Sequence, residues 1–188
     1  LNKEQLQALK FLETKNTGFN VSVLQGTTGS GKTLVYFERI KKIIKKNYQA
    51  LVLLPEIFLT NDFKSRFEEY FGFEPAVWHS KITPKQKRVI WKGVINKNIK
   101  ILVGARSALL LPFKKLGIII VDEEHDSSYK QDEGVVYNAR DMAISRASFE
   151  KIPIHLVTSV PSIETYNNIL NKKYRHINIC LLYTSPSP

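Results

Sequence analysis

Eight residues, Gly26-Thr27-Thr28-Gly29-Ser30-Gly31-Lys32-Thr33, have the spacing G-x-x-x-x-G-K-[ST] of a phosphate-binding loop. Glycine lets backbone approach phosphate oxygens where a Cβ would clash. Backbone N–H groups and a helix N-terminus then offer partial positive charge to anionic oxygens. Lys32 adds a full charge, and the Thr33 hydroxyl is a candidate Mg²⁺ ligand. A second acidic cluster, Asp122-Glu123-Glu124-His125, follows the apolar run Ile118 to Val121. Asp122 is placed to hold Mg²⁺, directly or through water, and Glu123 to orient and deprotonate an attacking water. Lys32, Asp122 and Glu123 are thus candidate catalytic groups for phosphoryl transfer from a nucleoside triphosphate. A phosphate loop alone does not separate kinases, GTPases, transporters and motors.

These groups need elements to position them. The apolar run Val21 to Leu24 precedes the phosphate loop, and a helix-compatible stretch starts at Lys32. Four consecutive β-branched residues before Asp122 suit a strand buried on both faces, as in parallel sheets. An acidic pair at the end of such a strand lies where open α/β sheets bind ligands. The spacing predicts helices over 2–14, 32–46, 57–70, 138–149 and 162–171, plus one opened by Thr83-Pro84. It predicts strands over 20–25, 50–54, 99–103, 117–121 and 154–158, with a short one at 75–78. Alternating strands and helices imply an α/β domain with a mostly parallel, doubly wound sheet. There is no internal repeat or low-complexity segment.

Composition narrows the class further. The chain has 188 residues, 28 Lys+Arg against 17 Asp+Glu, and a net charge of +11. A basic domain points to polyanions such as DNA or RNA. The excess is mostly lysine spread over helices, which an AT-rich genome also produces. No apolar run approaches the ~20 residues a membrane span needs, and no signal peptide opens the chain. The expectation is a cytoplasmic protein without a membrane partner. One cysteine, Cys180, allows neither an internal disulfide nor a cysteine-based zinc site in this segment.

Further segments join the two motifs. Gln5 stands upstream of the phosphate loop. Leu53-Leu54-Pro55-Glu56-Ile57, Trp78-His79-Ser80 and Gly104-Ala105-Arg106-Ser107-Ala108 follow apolar runs. Asp122-Glu123-Glu124-His125 continues into Tyr129-Lys130-Gln131 and Tyr137-Asn138-Ala139-Arg140-Asp141. Together, over residues 1–179, these resemble the superfamily 2 helicases, and within them the replication-restart family of primosomal protein N′ (PriA). The resemblance implies the RecA-like fold of P-loop NTPases and only the first of two such lobes. It implies an ATP-dependent 3′→5′ DNA helicase acting at stalled forks, in bacterial cytoplasm and at the nucleoid. Forked and single-strand/duplex DNA, primosome proteins and single-strand-binding protein are the implied partners. ATP and Mg²⁺ are the implied ligands, and zinc belongs only to a region beyond this segment. Gln5 is an implied nucleotide contact beside Gly26, Thr27, Thr28, Gly29, Ser30, Gly31, Lys32 and Thr33.

For DNA binding and coupling, the candidates are Pro55, Glu56, Arg106, Ser107, His125, Tyr129, Lys130, Tyr137, Arg140 and Ser159. Pro55, Glu56, Arg106 and Ser107 fall at strand ends where phosphate contacts need no base specificity, although Glu56 and Arg106 could equally form an ion pair. Interleaved Tyr129, Lys130, Tyr137 and Arg140 suit single-strand stacking, although both tyrosines could instead pin the loop. His125 suits coupling rather than metal ligation, since no second ligand sits at metal spacing. The family's third motif usually reads Ser-Ala-Thr-Pro-Ser; here it is Thr158-Ser159-Val160-Pro161-Ser162. Val160 lacks a hydroxyl that links nucleotide and DNA sites, so either Ser159 covers the role or coupling is weaker. Other superfamily 2 translocases, of fork-remodelling or restriction type, and a nucleotide-binding module inactive by itself are the competing readings. Cys180 to Pro188 reads as a sequencing-adapter tail rather than native chain.

Overall fold

Runs such as Ala50 to Leu53 and Ile118 to Val121 are fully buried at every position. Only a sheet covered by helices on both faces satisfies that pattern. The computed structural model describes residues 1–14, 18–132 and 136–179. In order they form α1 (Lys3–Glu13), β1 (Asn20–Gly26), α2 (Lys32–Lys45), β2 (Gln49–Leu53), α3 (Asn61–Phe71), β3 (Ala76–Trp78), α4 (Pro84–Ile95), β4 (Ile101–Gly104), β5 (Leu116–Asp122), β6 (Lys130–Gln131), β7 (Tyr137–Asn138), α5 (Ala139–Glu150), β8 (Pro153–Thr158), α6 (Ile163–Leu170) and β9 (Arg175–Ile179). Seven strands make one sheet in the order β3-β4-β2-β5-β8-β1-β9, with every pairing parallel. β6 and β7 form a separate antiparallel pair. The expected doubly wound α/β architecture is therefore present.

Period-two alternation divides each strand between two cores. Ile119 and Val121 of β5 join Leu51, Leu53, Ile154 and Leu156 on the face covered by α5. Ile118 and Ile120 join Leu24, Val52 and Val157 on the opposite face, with Leu12 of α1, Phe37 and Ile40 of α2 and Phe67 of α3. Burying each such side chain contributes about 1.5–3 kcal/mol.

Helix starts follow their capping residues. Asn2 with Gln5, and Thr83 with Gln86, form reciprocal capping boxes, and Pro84 opens α4. The helix expected over 57–70 is interrupted. Glu56–Phe58 form a 3₁₀ turn, and the Thr60 side chain accepts from Phe63 N–H to start α3 at Asn61. A threonine N-cap outweighs helical spacing upstream of it. β9, an edge strand beside β1, had no counterpart in the sequence reading. Its alternating half-exposed pattern lacks the continuous apolar run of the inner strands. The tail expected over 180–188 lies outside the described residues. Among the described residues no helix is long and apolar enough to cross a membrane.

Candidate functional site

The phosphate loop joins the end of β1 to α2. Gly29 and Gly31 hold φ +82 and +83, a left-handed conformation that glycine adopts without penalty. Gly31 is the N-cap of α2 and gives it no side-chain cap. The first N–H groups of a 14-residue helix are thereby left for another acceptor. Lys32 is nearly buried, and its Nζ donates to the carbonyls of Gly26 at 2.7 Å and Thr27 at 3.1 Å. Gln5 reaches the same loop. Its Nε2 donates to Ser30 O at 3.0 Å while its Oε1 accepts from Asn2 N–H. The Ser30 hydroxyl is buried and has no hydrogen-bond partner.

Alternation carries Asp122 onto the face of Ile118 and Ile120, where α2 packs against β5. It meets the first turns of that helix. Asp122 Oδ2 accepts from the Tyr36 hydroxyl at 2.9 Å, and Oδ1 from Glu123 N–H at 3.0 Å. Burial pushes the Asp122 carboxyl up to about 6; the Tyr36 hydrogen bond opposes this and the Glu123 charge adds to it. Glu123 has φ +50, sparsely populated for a residue with a Cβ. That turn diverts it from the α5 face, and Glu123 lines one cavity with Thr28, Lys32, Thr33 and Asp122. The cavity measures about 650 Å³ and extends past Phe37 to Tyr70 on α3. An orphaned buried hydroxyl, an uncapped helix N-terminus and a buried ammonium fit a polyphosphate. Thr33 and Asp122 are hard oxygen donors of the kind Mg²⁺ takes.

The other half of the tetrad faces away from this cavity. Glu124 is buried and accepts from Ser162 N–H at 2.8 Å, Ser162 Oγ at 3.0 Å, Thr165 Oγ1 at 2.9 Å and Arg140 Nη1 at 3.2 Å. It fastens α5 and α6 to the end of β5. His125 Nδ1 lies 2.7 Å from Thr158 Oγ1. The Thr158 hydroxyl proton goes to Val160 O at 2.8 Å, so that oxygen accepts from His125 and Nδ1 carries the proton. His125 Nε2 is then 3.6 Å from the Glu123 carboxylate.

The remaining candidates sit at the tips of β2, β3 and β4, with the loop after β5 beside them. Glu56 accepts from Ser80 Oγ at 3.0 Å, Trp78 Nε1 donates to Ser107 Oγ at 3.1 Å, and Arg106 Nη1 donates to Lys130 O at 2.5 Å. Glu56 and Arg106 each have these other partners, so the ion pair between them does not form. Pro55 is buried; Glu56, Ser107, Lys130 and His125 are exposed, and Arg106, Tyr137 and Ser159 are half-buried. Two expectations need correction. Tyr129 is 1% exposed, its hydroxyl 3.0 Å from Leu53 O and 2.5 Å from Asp122 O. A ring so enclosed offers no face to a base. Arg140 is also buried, held by Glu124, Asp141 and Ser162, and has no free guanidinium face for a phosphate.

A family model described as DEAD/DEAH box helicase matches residues 2–169. The chain belongs to the DEAD/DEAH box helicase family. Within that family it is 46% identical over 185 residues to replication restart protein PriA of Rickettsia felis, covering 98% of this chain and 28% of that protein. It is 45% identical over 177 residues to PriA of Haemophilus influenzae, covering 94% and 24% respectively. The chain thus spans about a quarter of these relatives' length. A solved structure of RecG bound to a three-way DNA junction aligns with TM-score 0.69 at 21% identity, over 96% of this chain and 24% of that one. That likeness supports a helicase RecA-like fold.

Several helicase-site residues escaped the sequence reading. Tyr36 stands one turn beyond Lys32 and Thr33 on α2, and that spacing was its signal. Thr158 ends β8, whose register places Val157 opposite Asp122. Its hydroxyl meets His125 Nδ1, two residues before the position where a hydroxyl was expected. Glu124 was seen only as part of its tetrad, because nothing local reveals that three hydroxyl- or guanidinium-bearing partners converge on it.

Proposed function

We propose that residues 1–179 are the ATP-binding lobe of a 3′→5′ DNA helicase that acts in replication restart. The observation that carries this reading is a single cavity lined by Lys32, Thr33, Asp122 and Glu123, with His125 one hydrogen bond from the end of β8. Phosphates at the α2 N-terminus take the Lys32 ammonium from the Gly26 and Thr27 carbonyls. Ser30 offers its unpaired hydroxyl. Thr33 and Asp122 would hold Mg²⁺, which would supply neutralisation of phosphate charge when bound. Glu123 orients the attacking water and accepts its proton. A shift of Glu123 reaches His125, then Thr158, and so the third motif. On the other side the Tyr129 hydroxyl joins the Asp122 carbonyl to the Leu53 carbonyl, just before Pro55 and Glu56. These two links give the nucleotide site a physical connection to strand tips that we assign to the DNA backbone, with Glu56, Arg106, Ser107, Lys130 and Tyr137 facing it. Forked DNA, primosome proteins and single-strand-binding protein are the partners of the parent protein, in bacterial cytoplasm.

In this reading a transition-state arginine comes from a second lobe, and such an arginine is worth roughly 10³–10⁵ in rate. The chain alone therefore binds MgATP and turns it over very slowly. ATP binding and hydrolysis, measured with and without single-stranded DNA, test the assignment. Binding with little turnover supports it. Rapid DNA-stimulated turnover by this chain contradicts the two-lobe assignment, and absent nucleotide binding contradicts the site.

A further inference from the structure

The Tyr36 phenol is wholly buried between the phosphate-loop helix and the end of β5. A tyrosine that merely fills a core needs its ring packed and its hydroxyl satisfied anywhere. This one is aimed at the two side chains to which the site reading gives the divalent cation. Its proton goes to Asp122 Oδ2 at 2.9 Å, and its oxygen also interacts with the Thr33 hydroxyl. Tyr36 shares a helix face with Lys32 and Thr33 one turn earlier. α2 runs from β1 to β2, and in sheet order those two strands are separated by β8 and β5. The helix must therefore pass over the tip of β5, which brings its second turn to Asp122.

A carboxylate has two oxygens and about four lone-pair directions. Here each oxygen already holds one fixed donor, the phenol on Oδ2 and the Glu123 N–H on Oδ1. The plane of the carboxylate is set by these two bonds. One direction on each oxygen is left for a cation or its water. Without the phenol, Asp122 can rotate toward the Lys32 ammonium, whose charge already acts on it.

We propose that Tyr36 is a positioning residue that orients the Asp122 carboxylate for the divalent cation accompanying the nucleotide. The inference rests on the reading of this cavity as a Mg-nucleotide site. Tyr36 is wholly buried and does not line the cavity, so its effect should appear only where the cation matters.

The test uses this chain and a fluorescent ADP analogue, titrated in EDTA and across a series of Mg²⁺ concentrations. Tyr36→Phe keeps the ring and removes the proton. In EDTA the Phe variant binds the analogue within about twofold of the unchanged chain. Its Mg²⁺ concentration for half-maximal strengthening rises about tenfold, the order expected for one hydrogen bond to a charged group. The same shift appears in Mn²⁺ binding followed by electron paramagnetic resonance, with no turnover involved. In an Asp122→Asn background, Tyr36→Phe produces no further Mg²⁺ shift, as a shared path requires. Should the Phe variant not fold, carbon-13 labelling of the tyrosine ring in the unchanged chain gives the answer. The Tyr36 signal then moves when Mg²⁺ is added to the nucleotide-bound chain. Equal loss of affinity with and without Mg²⁺, or an additive effect in the Asn background, overturns the proposal and leaves Tyr36 a core residue. Failure of the unchanged chain to bind nucleotide at all instead removes the site reading on which it rests.

Discussion

The tips of β1, β8 and β5 and the tips of β2, β4 and β3 make two differently built halves of one sheet edge. The first half is assembled from continuous motifs: one loop, one strand end and the start of one helix. Its polar groups converge on a cavity, and the buried Ser30 hydroxyl of the same loop has no hydrogen-bond partner. The second half is tied together by bonds between distant segments, Glu56 to Ser80, Trp78 to Ser107 and Arg106 to Lys130. Its exposed groups spread over a face rather than closing on a point. A site that must hold one small anion is concentrated, whereas a surface that follows a polymer backbone is distributed. β5 lies in the first half and borders β2 of the second, and its tetrad points in two directions. Asp122 and Glu123 line the cavity, while Glu124 and His125 fasten α5, α6 and the end of β8.

That division can be broken most severely at Glu124. Glu124→Ala takes the buried carboxylate from Arg140, Ser162 and Thr165, leaving Arg140 with Asp141 and Ser162, and breaking a buried pair this way costs about 3–5 kcal/mol. Thermal or urea unfolding should show the loss. A stability change below about 1 kcal/mol would mean that Glu124 is not the fastening point. Tyr129→Phe comes next. It removes the hydroxyl between the Leu53 and Asp122 carbonyls, a loss of about 1–3 kcal/mol for buried groups left unsatisfied. The same unfolding assay checks it, and an unchanged midpoint would remove the link between the halves.

A buried histidine sharpens the contrast by pH. Burial, then the Arg39 guanidinium, pushes His155 down to about 3. Its folded value lies below the unfolded value near 6.5, so the unfolded chain binds more protons between the two. Stability from this group is full above about pH 6.5 and falls by up to about 1.4 kcal/mol per pH unit as pH drops. Asp122 works in the opposite sense. Its folded value, about 6, exceeds its unfolded one, so between about 4 and 6 it adds stability as pH drops. The difference in unfolding free energy between the unchanged chain and His155→Gln isolates the histidine. A difference that stays constant from pH 7 to 5 would place that ring in contact with solvent. Val160→Thr has the smallest effect. Val160 contributes its carbonyl, to Thr158, and its side chain is 66% exposed. Stability and nucleotide affinity should both stay within about 0.5 kcal/mol. A large gain in either would return the coupling role to position 160.

The cavity half was far more legible in the sequence than the other. Gly26 to Thr33 and Asp122 to Glu123 are contiguous, and their chemistry depends on local spacing. Strand order was less legible, because β5 and β1 flank β8 only through long crossovers. Tyr129 and Arg140 misled because an aromatic or a cation in a polar loop looks the same whether it faces solvent or core. Their burial depends on Leu53, 76 residues away, and on Glu124, 16 residues away. Thr158 was passed over for a hydroxyl expected two residues later. Only the register of β8 against β5 brings it to His125.

Nucleotide binding by the unchanged chain and by Lys32→Ala, in Mg²⁺ at neutral pH, shows whether the α2 N-terminus is the nucleotide site. The unchanged chain should show one site, and the variant a loss of at least about 100-fold, the order expected when a buried charge-assisted contact is removed. The variant should stay folded, losing no more than about 1–3 kcal/mol for the Gly26 and Thr27 carbonyls it leaves. Equal affinity in the two proteins would mean that the nucleotide binds somewhere other than the α2 N-terminus.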